Sequence, residues 1–158
     1  MVKGFYEDLA QAREAEQLVL DVFSNLSKDY KFENVGAERK YFYKGDIKAT
    51  AADGREIFIE VKDDSVIHRT KNILCEEEVY YKYNGVFDKG NMQSDYDIYV
   101  VVSKQERMMY VIDFEILKKI YEMGEYKVIE HPNSTTYCYL LPVYVAKRQG
   151  AVIKTINY

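Results

Sequence analysis

The chain has no tryptophan and only two cysteines, two histidines and two prolines in 158 residues. The cysteines, Cys75 and Cys138, stand too far apart for a metal-binding spacing, and so do His68 and His131. That scarcity argues against a structural zinc site and leaves two reduced thiols, with a cytoplasmic location, as the simplest expectation. No Pro/Ser-rich linker, low-complexity run or internal repeat divides the sequence, so residues 1–158 read as one domain with enough chain to bury a core. No apolar run approaches the roughly 20 residues that cross a bilayer, and the start, MVKGFYEDLAQ, lacks the apolar centre of a signal peptide. An excess of basic residues is missing too. With 22 Lys and Arg against 26 Asp and Glu, the net charge is −4, which argues against gripping nucleic acid by bulk positive charge. Carboxylates that carry a divalent cation are compatible with it, because the cation-free charge then overstates the negative field.

Tyrosine is abundant, at 16 residues beside 7 Phe. Tyr suits sheet surfaces and half-wet contacts, and it can also stack on bases. Phe5, Leu9, Ala12, Val19, Phe23 and Leu26 recur at helical steps and predict a helix over 4–27. Glu16 falls on the same stripe, where a carboxylate is costly unless something pairs with it. Residues 41–52 and 56–62 predict a β-hairpin, with Asp53-Gly54 as a two-residue turn. Strands are expected over 73–81, 96–102, 109–112, 126–130 and 136–146, with a loop marked by Gly85 and Gly90. A helix over 113–123 is capped by Asp113 and stopped by Gly124. This order gives an α/β (α+β) fold with a sheet covered by helices.

The hairpin carries the chemistry. Period-two alternation puts Glu60 and Lys62 on one face of the second strand, and pairing through Asp53-Gly54 brings Asp46 opposite about residue 61, between them. Two carboxylates this close repel unless a cation lies between them. Their hard oxygen donors suit Mg²⁺ or Mn²⁺, ions that polarise a phosphate and acidify bound water. Lys62 can steady the charge on the phosphate and hold the water. Taken singly, Glu60-Val61-Lys62 is also ordinary solvated alternation and Asp46 an ordinary strand-edge acid; their convergence with Glu16 favours a site.

Asp46 followed across a hairpin by Glu60-Val61-Lys62 resembles the PD-(D/E)xK nuclease superfamily, with Gly45 where the motif's name has proline. Glu16 resembles the helix Glu that many members add. Thr70-Lys71-Asn72-Ile73-Leu74-Cys75-Glu76 and Ser94-Asp95-Tyr96-Asp97 resemble segments of small phage-type members, with Lys71 and Tyr96 replacing Gly and Ala; Leu140-Leu141-Pro142-Val143 resembles a closing strand. The resemblance spans roughly residues 5–145. It implies a restriction-endonuclease-like mixed central sheet flanked by helices and a metal-dependent endonuclease hydrolysing DNA phosphodiesters. It further implies Asp46, Glu60, Glu16 and the Val61 carbonyl around Mg²⁺ or Mn²⁺, with Lys62 on the attacking water. Asn72, Lys71, Glu76 and Arg69 are candidate substrate contacts, though each also reads as an ordinary turn or solvated residue, as does His68. Ser94 and Asp97 read as a cap pair and His131 as a turn residue. A homodimer would suit cleavage of both strands. Two rival readings stand beside this one: a non-catalytic protein of the same fold acting in nucleic-acid handling or assembly, and a Tyr-rich protein-binding domain.

Overall fold

In the computed structural model the described residues are 5–41, 44–81, 85–124, 127–130 and 134–158. The chain opens with α1 (Phe5–Leu26), followed by β1 (Tyr30–Asn34), β2 (Ile47–Ala51) and β3 (Glu56–Asp63). A one-turn helix α2 (Ile67–Thr70) leads to β4 (Asn72–Tyr81) and β5 (Val86–Lys89). Then come β6 (Ile98–Ser103), β7 (Met108–Asp113), α3 (Phe114–Glu122), β8 (Lys127–Glu130), β9 (Ser134–Pro142), α4 (Val143–Arg148) and β10 (Val152–Asn157). The fold is mixed α+β. Its central sheet has the order β1-β2-β3-β6-β7-β10, and β3 and β6 run parallel within otherwise antiparallel pairing. A second, antiparallel sheet has the order β5-β4-β9-β8.

β6 shows how the layers form. Val100 and Val102 pack with Ala15 and Val19 of α1, Ile47, Ala49, Ile59 and Met109. Their neighbours Tyr99 and Val101 face the other way, onto Ile73, Leu141, Phe114 and Leu117 from the second sheet and α3. A strand buried on both faces loses polar alternation, which is why its sequence is continuously apolar. Asp97 pins the entry to this strand. Its Oδ2 accepts the Phe58 N–H at 2.8 Å, and its own N–H donates to the Phe58 carbonyl at 3.0 Å. Replacing Asp97 with alanine should leave the Phe58 N–H without its partner and destabilise by about 1–3 kcal/mol, as read by urea unfolding.

Several sequence expectations are corrected. The first hairpin strand starts at Ile47, not near Tyr41, since Arg39–Tyr41 form a 3-10 turn. The hairpin loop has three residues, 52–54, rather than two: the Ala51 N–H bonds the Arg55 carbonyl at 2.9 Å and Gly54 takes φ 86°. Such a turn ends in a left-handed residue, here Gly54. The stretch between Gly85 and Gly90 is β5 rather than loop, and β1 and β10 are further strands. The last expected strand ends at Pro142 and gives way to α4. On α1, Leu9 and Leu26 are exposed, while Ala15 and Val19 are fully buried. The ends of α1 therefore overhang the sheet. Asp113 caps α3 as expected, accepting the Ile116 N–H at 3.0 Å. Among the described residues no helix is long and apolar enough to cross a membrane.

Candidate active site

Asp46 stands immediately before β2, where the chain bends. Its carbonyl accepts the N–H groups of Val35 at 2.8 Å and Gly36 at 3.1 Å, and its own N–H donates to the Ile59 carbonyl at 2.9 Å. Gly45 makes this bend possible. It sits at φ 127°, and a Cβ there would lie 2.7 Å from the Ile59 carbonyl oxygen. Only glycine takes that backbone conformation at that approach without strain. Gly45→Ala should therefore destabilise by about 1–3 kcal/mol and displace Asp46; urea unfolding and Mn²⁺ titration would register the two effects.

The hairpin pairs Thr50 with Glu56 and Ile47 with Ile59. Continued one step, this register sets Asp46 across from Glu60, one residue from the position a two-residue turn would give. The two half-buried carboxyl groups lie close enough for the charge of one to act on the other, and Asp46 Oδ2 accepts the Val61 N–H at 2.9 Å. Burial is the main reason both acids hold their protons more tightly than usual. Asp46 rises to about 6, offset in part by the Val61 N–H and raised further by Glu16. Glu60 rises to about 9, pushed by burial first and then by the charge of Asp46, against a smaller opposing pull from Lys62. Two partly desolvated carboxyls side by side resist joint ionisation, an arrangement that a bound cation, or a shared proton, relieves.

Glu16 reaches the same cleft from α1. Its Oε2 accepts the Asn34 amide at 2.9 Å, and its charge acts on both acids. The cleft has a volume of about 480 Å³, and Gln11, Glu16, Asp46, Glu60, Lys62 and Asp63 are among the residues that line it. Val61 lines it as well. Lys62, two residues beyond Glu60 on the same strand face, is half-exposed and lies 3.8 Å from Glu76 Oε1. Beside the cleft, the Lys104 ammonium ties Asp63 at 3.0 Å to Glu14 at 2.9 Å.

The other sequence candidates divide. Glu76 meets Lys62 from the second sheet. Lys71 does not line the cleft: it occupies the left-handed region at the end of α2, and its ammonium pairs with Glu106. Asn72 begins β4 opposite Pro142, its N–H donating to Thr70 Oγ1 at 3.3 Å, and Arg69 is exposed on α2. His68 Nδ1 is buried and finds no hydrogen-bond partner among the described residues. Ser94 is buried and accepts a hydrogen bond from Lys118 at its carbonyl. His131 lies outside the described residues.

Two further residues neighbour the site. Asn34 had no signal beyond its place at the end of β1. The Tyr96 hydroxyl holds its proton more tightly than usual, chiefly through burial and then through the charge of Glu60. In the sequence Tyr96 is marked by its place in the Ser94-Asp95-Tyr96-Asp97 segment, where it replaces Ala.

Among the described residues no three His, Cys, Asp or Glu side chains converge closely enough to cage a metal. The donor set is therefore two carboxylates with room beside them. That fits a hard cation such as Mg²⁺, which keeps several waters and takes one or two carboxylates plus substrate oxygens.

No protein-family model and no curated protein matches the chain. Among solved structures it is similar to a bacterial homing endonuclease, I-Ssp6803I, at 13% identity and a TM-score of 0.47, over 80% of this chain and 74% of that one.

Proposed function

We propose that this protein is a Mg²⁺- or Mn²⁺-dependent endonuclease that hydrolyses DNA phosphodiesters in the Asp46–Glu60–Lys62 cleft. The observation that carries the reading is the half-buried Asp46–Glu60 pair lining one cleft, with a lysine two residues along the same strand face. The PD-(D/E)xK resemblance of Asp46, Glu60 and Lys62 points the same way. Asp46 and Glu60 would hold the cation, with the Val61 carbonyl nearby and Glu16 adding negative charge behind them. When bound, the cation supplies Lewis-acid polarisation of the phosphate and a lowered water pKa.

The chain's own groups do the rest. Lys62 Nζ hydrogen-bonds the attacking water and stabilises the negative charge growing on the phosphoryl oxygens. Asn34 fixes Glu16, and the Val61 N–H fixes Asp46, so neither carboxylate needs to reorient during the reaction. The rival, non-catalytic reading draws support from one feature: Lys62 and Lys104, at and beside the cleft, are each already paired with a carboxylate, which leaves little free positive charge there among the described residues.

The test is incubation of purified protein with linear, supercoiled, branched and single-stranded DNA in Mg²⁺, Mn²⁺ or Ca²⁺. Cleavage in Mg²⁺ or Mn²⁺ but not comparably in Ca²⁺, the weaker Lewis acid with looser geometry, supports the reading. No cleavage of any form in Mn²⁺ favours the non-catalytic alternative.

A further inference from the structure

We infer that Glu76 is a positioning residue for Lys62, holding its ammonium at the mouth of the Asp46–Glu60 cleft. The inference rests on the proposed hydrolytic site and names a member of it that comes from a different sheet.

The local backbone is built around Glu76. β4 pairs with β9, and the register slips between Glu76 and Glu78. A bulge of this kind re-aims a side chain and is common beside active sites. The slip is supported by the segment after β5. Asn91 Oδ1 accepts the Glu76 N–H at 2.7 Å, while Asn91 Nδ2 donates to the Leu74 carbonyl at 3.1 Å and to the Tyr99 hydroxyl at 3.0 Å. Gly90 lies so close that a Cβ on it would sit 2.1 Å from the Glu76 carbonyl oxygen. The Gly90 N–H also bonds the Glu77 carbonyl at 2.8 Å. None of these ties uses the Glu76 carboxylate, which is left free to meet Lys62 at 3.8 Å.

The asymmetry of the pair fits the role. The Glu76 side chain is 18% exposed and that of Lys62 44%. The carboxylate is the more enclosed end and the lysine the more exposed one. A lysine stem samples many rotamers, and a fixed anion that selects one of them places the ammonium before substrate arrives. Among the described residues Glu76 pairs with Lys62 across the sheets, and the charge of Lys62 also acts on Glu60 along its own strand. Removing Glu76 should leave Lys62 present but misplaced, a defect in the chemical step rather than in DNA binding.

The experiment compares wild type, Glu76→Gln, Glu76→Asp, Lys62→Ala and the Glu76→Gln/Lys62→Ala double variant on the DNA form that wild type cuts. Glu76→Gln keeps the side chain's shape and every backbone tie, so the fold should survive; thermal unfolding checks this. The expected result is a loss in kcat of roughly 10²-fold with KM little changed, the scale of an ångström-sized misplacement. Glu76→Asp should recover part of the loss. In the Lys62→Ala background, Glu76→Gln should have no further effect, because both changes then act through the same amine. Wild-type kcat in Glu76→Gln, or an undiminished loss in the Lys62→Ala background, overturns the inference. Should wild type cut no DNA, the hydrolytic reading fails, and Glu76 is judged by NMR instead. The Nζ resonance of Lys62, assigned with Lys62→Ala, shifts in Glu76→Gln if the pair is formed. An unmoved resonance rejects the pairing.

Discussion

Replacing Lys62 with alanine should lower the rate of DNA cleavage by roughly 10²–10³-fold, the usual cost of deleting one group aimed at developing transition-state charge. Mn²⁺ affinity should stay within a few-fold of wild type, because the proposed donors, Asp46 and Glu60, are untouched. Asp46→Asn should behave differently and lose both. It removes a charged oxygen donor, and the amide cannot accept the Val61 N–H as strongly as Asp46 Oδ2 does at 2.9 Å. Plasmid-nicking rates paired with Mn²⁺ titrations of the same preparations separate the two patterns. Equal cleavage by wild type and Lys62→Ala would assign the activity to a contaminant or to another site.

Without metal, the folded protein should lose stability as pH rises from near 4.5 toward 9, relative to a Glu60→Gln variant. In the folded chain, burial and the charge of Asp46 raise Glu60 to about 9 from its usual 4.5, and burial raises Asp46 to about 6 from 3.8. Between those limits the folded state binds protons that the unfolded chain has already released. The stabilisation is complete below the ordinary carboxylate pKa and gone once pH passes the folded value. Each extra proton held by the folded state lowers stability by about 1.4 kcal/mol per pH unit. Glu60→Gln removes the larger of the two shifts, so its stability should fall less steeply over the same window. Mn²⁺ should reverse the trend. Cation and proton compete for the same oxygens, so the rise in Tm on adding Mn²⁺ should be larger at pH 8 than at pH 5. Thermal unfolding of both proteins across this range, with and without Mn²⁺, decides it; parallel curves for wild type and Glu60→Gln would mean that Glu60 is an ordinary solvated acid.

The parts of this arrangement that were legible in the sequence are those set by local periodicity. Alternation along Glu56–Asp63 fixes the shared face of Glu60 and Lys62, and the apolar stripe singles out Glu16, which lines the cleft. Capping chemistry fixes the start of α3 at Asp113. Where periodicity is silent, the reading drifted. The run Tyr137–Ala146 is almost wholly apolar, so period two and period 3.6 fit it equally well. Its β-branched valines favour strand, but Pro142, at φ −59°, interrupts the ladder and opens α4, and burial of Val143 and Ala146 holds that helix. Long-range contacts left no local trace. Nothing near Lys62 in the sequence points to a carboxylate fourteen positions on in another sheet, nor does Gly90 announce that it packs against the Glu76 carbonyl. Asp53-Gly54 marks the place of the turn in the sequence but not its length. That single residue moves Asp46 from opposite Val61 to opposite Glu60, so the two acids stand directly across the hairpin from each other.

The most direct measurement is anomalous diffraction from crystals of the wild-type protein soaked in Mn²⁺ above pH 8, where protons compete least for the pair. The expected result is a single strong manganese peak flanked by the Asp46 and Glu60 carboxylates, absent from Asp46→Asn crystals soaked in the same way. No peak in the cleft would contradict a metal-dependent site there.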